Sequence, residues 1–298
     1  MTPDVFLKGG KMFTSVIIPT FNKEKRLGMV LQTLVKQDIG AEKFEVIVVD
    51  DGSADDTRNI VKSMGDNGTI NIRYLHQTNK GRAAARNTGV KAAKGEIIVF
   101  LDDDRLVREN FIREHVSCFT SQSHTNLVVL GKRMCLFFSR FDEIYQDLQR
   151  LLEVNPEAVF KRGREEHYYW KKVKPAADMP AILWMLFTTG NVSMGAGLFE
   201  QVGLFNEGFQ GWGYEDTELG YRLWLQGIPF LCNETAVNYH LEHLRSRNEL
   251  AIDIRRNQKF LISIHPKFPL EYFMKFNDGE MSLEEFNRLM TVEMEASH

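Results

Sequence analysis

Short apolar runs alternate with stretches of helical periodicity through the first hundred positions. Ser15-Val16-Ile17-Ile18, Phe44 to Val49, Ile70 to His76 and Glu96 to Leu101 are rich in β-branched and aromatic residues and too short for helices, so each predicts a strand. Between them, Lys23 to Gln37 carries Leu27, Val30, Leu31, Leu34 and Val35 at helical spacing. Ser53 with Asp56 forms an acidic variant of a capping box for a helix through Met64, and Lys80 to Ala93 is an Ala-rich helix. Strands without polar alternation are buried on both faces. The pattern therefore predicts an α/β fold: a mostly parallel central sheet, right-handed crossovers and helices on both faces.

Three of these four strands stop on polar clusters: Pro19-Thr20-Phe21-Asn22, Asp50-Asp51 and Asp102-Asp103-Asp104. They share one carboxyl edge, which is where open α/β sheets bind ligands. Three adjacent carboxylates repel one another. A hard cation such as Mg²⁺ or Mn²⁺ is one compensation, and a solvated acidic turn is the other.

Downstream, Glu109 to Phe119 predicts a helix, Leu127 to Leu130 a strand, Arg140 to Val154 an amphipathic helix, and Ile182 to Thr189 a strand ending at Gly190-Asn191. Lys161-Arg162-Gly163-Arg164 and Lys171-Lys172 flank His167-Tyr168-Tyr169-Trp170; a solvated excursion, an acceptor lid or an anionic-lipid contact all suit that pattern. The glycine-aromatic stretch Phe205 to Asp216 suits a loop closely approaching a ligand, with Trp212 as a stacking face. Glu215 and Asp216 fall in the first turn of a helix running to Gly227, where helix-end capping is their structural role. His240 and His243, spaced i and i+3, suit either metal ligation or a hydrogen-bonded core pair. Glu249 to Ile264 and Ser282 to Met294 predict two terminal helices, the second opened by a Ser282/Glu285 capping box.

Composition narrows the function classes. A net charge of -3 gives no general pull towards nucleic acid. Three cysteines in apolar contexts suit reduced core thiols. No secretory leader pattern is visible, and Ala181 to Phe187 is too short to span a bilayer. The expectation is a cytoplasmic protein, with peripheral contact to the inner face of the membrane as an option. Neither a dinucleotide fingerprint nor a phosphate loop is present, since Gly195-Ala196-Gly197 and Gly211-Trp212-Gly213 lack the third glycine and Gly9-Gly10-Lys11 is followed by Met12.

The ordered motifs resemble the inverting glycosyltransferases of family 2, which have the GT-A fold. The matching residues are Val16 to Asn22, Val48 to Ser53, Asn79-Lys80-Gly81 with Arg86-Asn87, Leu101 to Asp104, Thr189-Gly190-Asn191 and Gly211 to Asp216. The stretch with the Glu-Asp pair is also similar to chondroitin-polymerase and galactosyltransferase-type domains. The resemblance implies a glycosyltransferase domain over 1–245, with a nucleotide-binding half to 110 and an acceptor half beyond it, followed by a helical extension over 246–298. It implies a nucleoside diphosphate sugar donor, commonly UDP-linked. The donor site would comprise Pro19, Thr20, Phe21, Asn22, Asp50, Asp51, Lys80, Arg82, Asp102, Asp103, Gly190, Asn191 and Trp212. Mn²⁺ or Mg²⁺ would bind at Asp104, Asp102 and His240, with His240 preferred to His243. Asp216 would be the catalytic base, with Glu215 beside it. The acceptor would be a glycan, a lipid-linked sugar or a small molecule. A nucleotidyltransferase, or a sugar-nucleotide binder without turnover, is the alternative.

Overall fold

A computed structural model describes residues 12–166, 176, 178–243 and 247–296. The basic and aromatic segment around His167 to Lys172 lies outside them. Among the described residues, strands β1 (Thr14–Thr20), β2 (Phe44–Asp50), β3 (Asn71–His76) and β4 (Ile97–Leu101) are parallel neighbours in the order β3-β2-β1-β4. Helices α1 (Glu24–Leu34), α2 (Thr57–Asp66) and α3 (Arg82–Ala92) connect them. The α/β architecture expected from the pattern holds, with these four strands as its continuous parallel part, but the sheet as a whole is mixed and not mostly parallel.

Beyond β4 the ladder is mixed. It continues through β8 (Asn191–Gly195), β6 (Val128–Leu136), β9 (Phe230–Leu241) and the short β5 (Arg105–Val107), with β7 (Arg164–Glu165) at the side of β6. Two registers matter for function. β8 is antiparallel to β4 with Leu101 opposite Asn191, so the start of β8 lies at the edge where β4 ends. β5 is antiparallel to β9 with Arg105 opposite His240, and the Leu241 amide donates to the Asp104 carbonyl at 2.8 Å. The distant His240 is thereby fixed beside the acid triplet.

Alternation along the buried strands divides the core between the two faces of the sheet. Val16, Ile18, Ile97 and Val99 pack with Leu27 of α1, with Phe111 and Phe119 of α4 (Phe111–Gln122), and with Leu148 and Leu152 of α5 (Phe141–Val154). Next to α5 is the short helix α6 (Pro156–Phe160). Ile17, Ile98 and Phe100 pack on the other face with Trp184, Phe199 of α7 (Leu198–Val202) and Leu219 of α8 (Glu215–Leu225). That same cluster takes in Leu261 of α9 (Arg247–Ile264), Phe276 of α10 (Leu270–Asp278), and Phe286 and Met290 of α11 (Leu283–Ala296). The terminal helices complete the main core.

Three local expectations differ from the structure. Ile182 to Thr189, expected as a strand, falls instead largely in a 3-10 helix, Pro180–Leu186, with Ile182 and Trp184 fully buried; an unbroken apolar run cannot distinguish a buried strand from a buried helical turn. The Ser53/Asp56 capping box does not form. Asp55 accepts from the Thr57 amide at 3.1 Å instead, while Ser53 Oγ accepts from the Asn22 amide at 2.9 Å. α10 was not expected at all. The Ser282 cap of α11 is present, its Oγ accepting from the Glu285 amide at 3.1 Å. α5 lies against α1, held by Gln32 Nε2 to the Gln149 carbonyl at 3.0 Å and Lys36 Nζ to the Leu152 carbonyl at 2.7 Å. No helix among the described residues is long and apolar enough to cross a membrane.

Phe286 is fully buried and stacks on Phe276 at 5.6 Å. Phe286→Ala should therefore cost roughly 3–5 kcal/mol. Urea unfolding should show one cooperative transition with a lowered midpoint; a separate early transition with the main midpoint unmoved would show that the terminal helices fold as their own unit.

Candidate active site at the carboxyl edge of the sheet

The acid triplet leaves β4 with its members facing different partners. Asp104 is buried, and its Oδ2 accepts from Lys23 Nζ at 2.6 Å; the same ammonium lies 3.2 Å from Asp103. His240 Nε2 and His243 Nδ1 lie 3.5 and 3.6 Å from Asp104 Oδ2. One ligand atom from each of Asp104, His240 and His243 falls within 4.8 Å of the others, a spacing that could hold a metal ion. A carboxylate with two imidazoles suits a borderline ion such as Mn²⁺ better than Mg²⁺, which prefers oxygen ligands. Burial works to raise the Asp104 pKa, but hydrogen bonding from His240 and the Lys23 charge hold it well below the usual carboxylate range. His240 moves the other way: burial opposes its charge, and Asp104 and Glu242 outweigh burial and raise it. The site therefore stabilises positive charge at Asp104. His243, which sequence alone ranked below His240, belongs to the same group.

Asp102 turns towards a second cation. Arg86, buried on α3, places its guanidinium 3.3 Å from Asp102, 3.2 Å from Glu215 and 3.5 Å from Asp216. Glu215 and Asp216 open α8, and Asp216 also accepts from the Thr189 amide at 2.9 Å and from its hydroxyl. Burial and the neighbouring Glu215 push Asp216 up to about 6 against the pull of Arg86. Asp102 goes down instead: burial is outweighed by Arg86, with Arg105 and Arg82 adding to it. Arg86 stands beside small neighbours, Ala83, Ala84 and Ala85, on an Ala-rich helix. Arg82 opens the same helix one turn earlier, so the sign available in the sequence was a second arginine set behind three alanines.

The loop before α8 is held from the C-terminal side. Asn257 of α9 donates to the carbonyls of Gln210 at 3.0 Å and Gly213 at 2.8 Å, and Asp253 accepts from the Trp212 amide at 3.0 Å. Gly211 has φ +68°, and a Cβ there would lie 2.1 Å from Asp253 Oδ2, so the close approach requires glycine. Tyr214 takes a left-handed φ of 73° without being glycine, its hydroxyl accepting from Gln258 Nε2 at 2.7 Å.

Two clefts meet here. One, about 590 Å³, is bounded by Pro19, Thr20, Phe21, Asp51 and Asp103. The other, about 630 Å³, is bounded by Gly190, Glu215, Asp216 and His240. Arg82, Arg86, Asp102, Trp212 and His243 border both. Four expected donor contacts lie elsewhere. Asn22 accepts from the Ala54 amide at 2.8 Å and ties two loops together. Asp50 accepts from the Tyr74 hydroxyl at 2.5 Å and from the Ser53 amide at 2.7 Å, so the strand's alternation turns it away from Asp51. The Lys80 side chain is exposed and borders neither cleft; its amide donates to Asp51 at 2.9 Å. Asn191 is buried, with its amide group spent on the carbonyls of Lys132 and Ala236 and on His115. Lys23, Arg86, His243 and Asp253 border the clefts in their place, and Asn257 braces the loop before α8 from behind.

The sequence model of Glycosyl transferase family 2 matches residues 15–162, and that of the N-terminal domain of galactosyltransferase matches 175–244. An uncharacterized glycosyltransferase of Bacillus subtilis, YfnE, is 30% identical over 94% of this chain and 77% of its own length. The chain belongs to glycosyl transferase family 2. Validoxylamine A glucosyltransferase of Streptomyces hygroscopicus subsp. limoneus is 33% identical over 87% of this chain, which spans 58% of that relative's length. Solved structures share the GT-A fold. The mannosyltransferase PcManGT of Pyrobaculum calidifontis, in complex with GDP-Man and Mn²⁺, superposes with TM-score 0.61 at 20% identity, covering 96% of this chain and 70% of that one. TarS of Staphylococcus aureus in complex with UDP-GlcNAc gives 0.58 at 23%, covering 79% and 60%. Both family matches fall on the two clefts: the first takes in the strand ends of the smaller one, the second Gly190, Glu215, Asp216 and His240.

Arg86→Leu removes the only guanidinium within ion-pair distance of Asp102, Glu215 and Asp216 together among the described residues, and should cost about 3–5 kcal/mol. The folded-state pKa of Asp216, about 6, lies above its ordinary value of 3.8, so its contribution favours the fold at low pH and is lost as pH rises through about 6. Without Arg86 that proton is held more tightly still. The variant's deficit in urea should be smaller at about pH 5 than at about pH 7.5; an equal deficit at both would mean that Arg86 contributes by packing alone.

Proposed function

We propose that this family 2 chain is an inverting glycosyltransferase that moves a sugar from a nucleoside diphosphate sugar to an acceptor hydroxyl, with Asp216 as the general base. The observation that carries this is the junction of the two clefts. Metal-type ligands stand on one side of Asp102 and Arg86, and a carboxylate of raised proton affinity stands on the other.

The donor nucleotide is assigned to the smaller cleft, where Phe21 is 46% exposed and offers a stacking face beside Thr20 and Asp51. Uracil is the base we assign: its imide N–H needs an acceptor, and Asp51 is the carboxylate at that end. The TarS complex with UDP-GlcNAc supports this choice. Asp104, His240 and His243 would hold a divalent ion, as the Mn²⁺ of the archaeal neighbour supports. Bound there, the ion would supply positive charge to the diphosphate oxygens. Lys23 and Arg82 add fixed positive charge at the same cleft.

Transfer then runs as a single displacement. Asp216 accepts the acceptor hydroxyl's proton as that oxygen bonds to the anomeric carbon. The bond from the anomeric carbon to the diphosphate breaks, and its electron pair leaves with the phosphate oxygen. Attack opposite the leaving group inverts the centre. Thr189 keeps the Asp216 carboxylate oriented, and Arg86 keeps it partly ionised near neutral pH.

Asp216→Asn should lower transfer by a factor of about 10² to 10⁴ while calorimetry shows UDP binding in the presence of Mn²⁺ unchanged. In the wild type the base must be ionised, so kcat/KM should fall below about pH 6. Loss of UDP binding in a folded Asp216→Asn protein would remove Asp216 from the base role. Asp104→Ala, like chelation, should abolish the gain in UDP affinity that Mn²⁺ confers; turnover insensitive to both would place no metal here.

A further inference from the structure

The larger cleft has two unlike surfaces. Its floor is charged, yet each of its arginines already faces a carboxylate. Arg82 lies 3.7 Å from Glu215, Arg86 3.2 Å from the same residue, Arg105 3.5 Å from Glu166, and Arg133 pairs with Glu166 as well. Burial is outweighed by Arg133 and Arg105, and Glu166 is held down to about 2. Glu242 is matched in turn by His240 at 3.1 Å. No lysine borders the cleft among the described residues. An anionic group entering it would displace an existing ion pair and meet the acids Asp102, Glu215 and Asp216.

The facing surface comes from the C-terminal helices. Ile254 of α9 and Phe273 and Phe276 of α10 border the cleft together with Met185, Leu186 and Tyr214. Phe273 is half-buried: its ring stacks on Trp184 with centroids 6.3 Å apart at 21°, approaches Tyr214 at 6.3 Å and Phe268 at 6.2 Å, and borders the cleft. The geometry points to an acceptor subsite in which the helices beyond residue 246 hold an uncharged acceptor by an apolar ring face against Phe273 and Ile254, with its hydroxyl turned to the charged floor.

The size agrees with a compact acceptor. About 630 Å³ lies within the usual span of small-molecule sites, roughly 300–1,000 Å³. Apolar burial against an aromatic ring supplies affinity without an ion pair, and the paired floor disfavours charge on the ligand. This assignment rests on the glycosyltransferase reading of the same cleft, and it gives 246–298 a part in acceptor choice.

The probes are p-nitrophenyl β-D-glucopyranoside, p-nitrophenyl β-D-glucuronide and methyl β-D-glucopyranoside, titrated onto the full chain and followed by saturation-transfer NMR. UDP with Mn²⁺ is titrated separately. The neutral aryl glucoside should bind at least about tenfold more tightly than the glucuronide or the methyl glucoside. Phe273→Ala should remove about tenfold of that affinity and leave UDP binding as in the wild type. Because Phe273 also supports Trp184, Ile254→Glu provides a second variant on the same surface, with the same loss expected. The subsite is overturned if the wild type shows no saturation transfer to the aryl glucoside, if the glucuronide binds as tightly, or if both folded variants bind like wild type. Should UDP fail to bind while the aryl ranking holds, the nucleotide-sugar assignment falls and the subsite stands; UDP binding without the ranking does the reverse.

Discussion

The buried guanidinium of Arg86 is the interaction on which the rest of the site depends. It lies among the carboxylates of Asp102, Glu215 and Asp216, which arrive from the end of one strand and the start of a helix far along the chain. Three carboxylates brought together in a partly dry cleft repel one another by more than packing around them readily offsets. A lysine would neutralise one charge at a time. A planar guanidinium can address several at fixed angles, which is why arginine suits such a junction. The strand end at Asp102 and the helix end at Glu215 and Asp216 are thus joined by one side chain.

Topology supplies the second constraint. Four parallel strands alone would put no imidazole beside Asp104, because their one histidine, His76, ends β3 at the far side of the order β3-β2-β1-β4. The antiparallel pairing of β5 with the end of β9 puts His240 opposite Arg105 and leaves His243 just beyond the strand, both beside Asp104. The antiparallel β8 brings Gly190 to the same edge, where a Cβ would lie 2.6 Å from Arg105 Nε. The two halves also share one core through Trp184, and the terminal helices fill it with Leu261 and Phe286. A boundary at 245 therefore divides the sequence without dividing the packing.

Much of this was legible in the residues. Unbroken apolar runs ending on Thr20, Asp51 and Asp102 to Asp104 located the edge, because strand ends are fixed by where apolar residues stop. Asp216 was legible as an acid at a helix start. What failed was direction. Asp50 and Asp51 are adjacent, and strand alternation sends one away from the cleft and the other towards it, which needs the register to decide. Asn191 matched a motif position, yet the antiparallel β8 buries its amide beneath the floor. Asp253 and Asn257 carried no signal, since their partners are backbone groups of a loop some forty positions earlier.

The acids at the junction differ by environment and not by type. Burial works in the same sense on Asp102, Asp104 and Asp216, raising each. Asp102 is pulled back by Arg86, Arg105 and Arg82, and Asp104 by His240 and Lys23, so both stay ionised where a cation and a diphosphate would lie. Asp216 shares Arg86 with two other acids and has Glu215 beside it, so the pull is divided and its proton affinity stays high. A base of that strength can take a proton from a hydroxyl as it attacks, whereas a carboxylate held far below the working pH is a poor acceptor. Pairs of titratable groups driven apart in this way mark the division of labour in a site. Here several cations hold Asp102 and Asp104 down while Arg86 only partly offsets what raises Asp216, so the stability of the junction and the proton affinity of Asp216 both depend on Arg86.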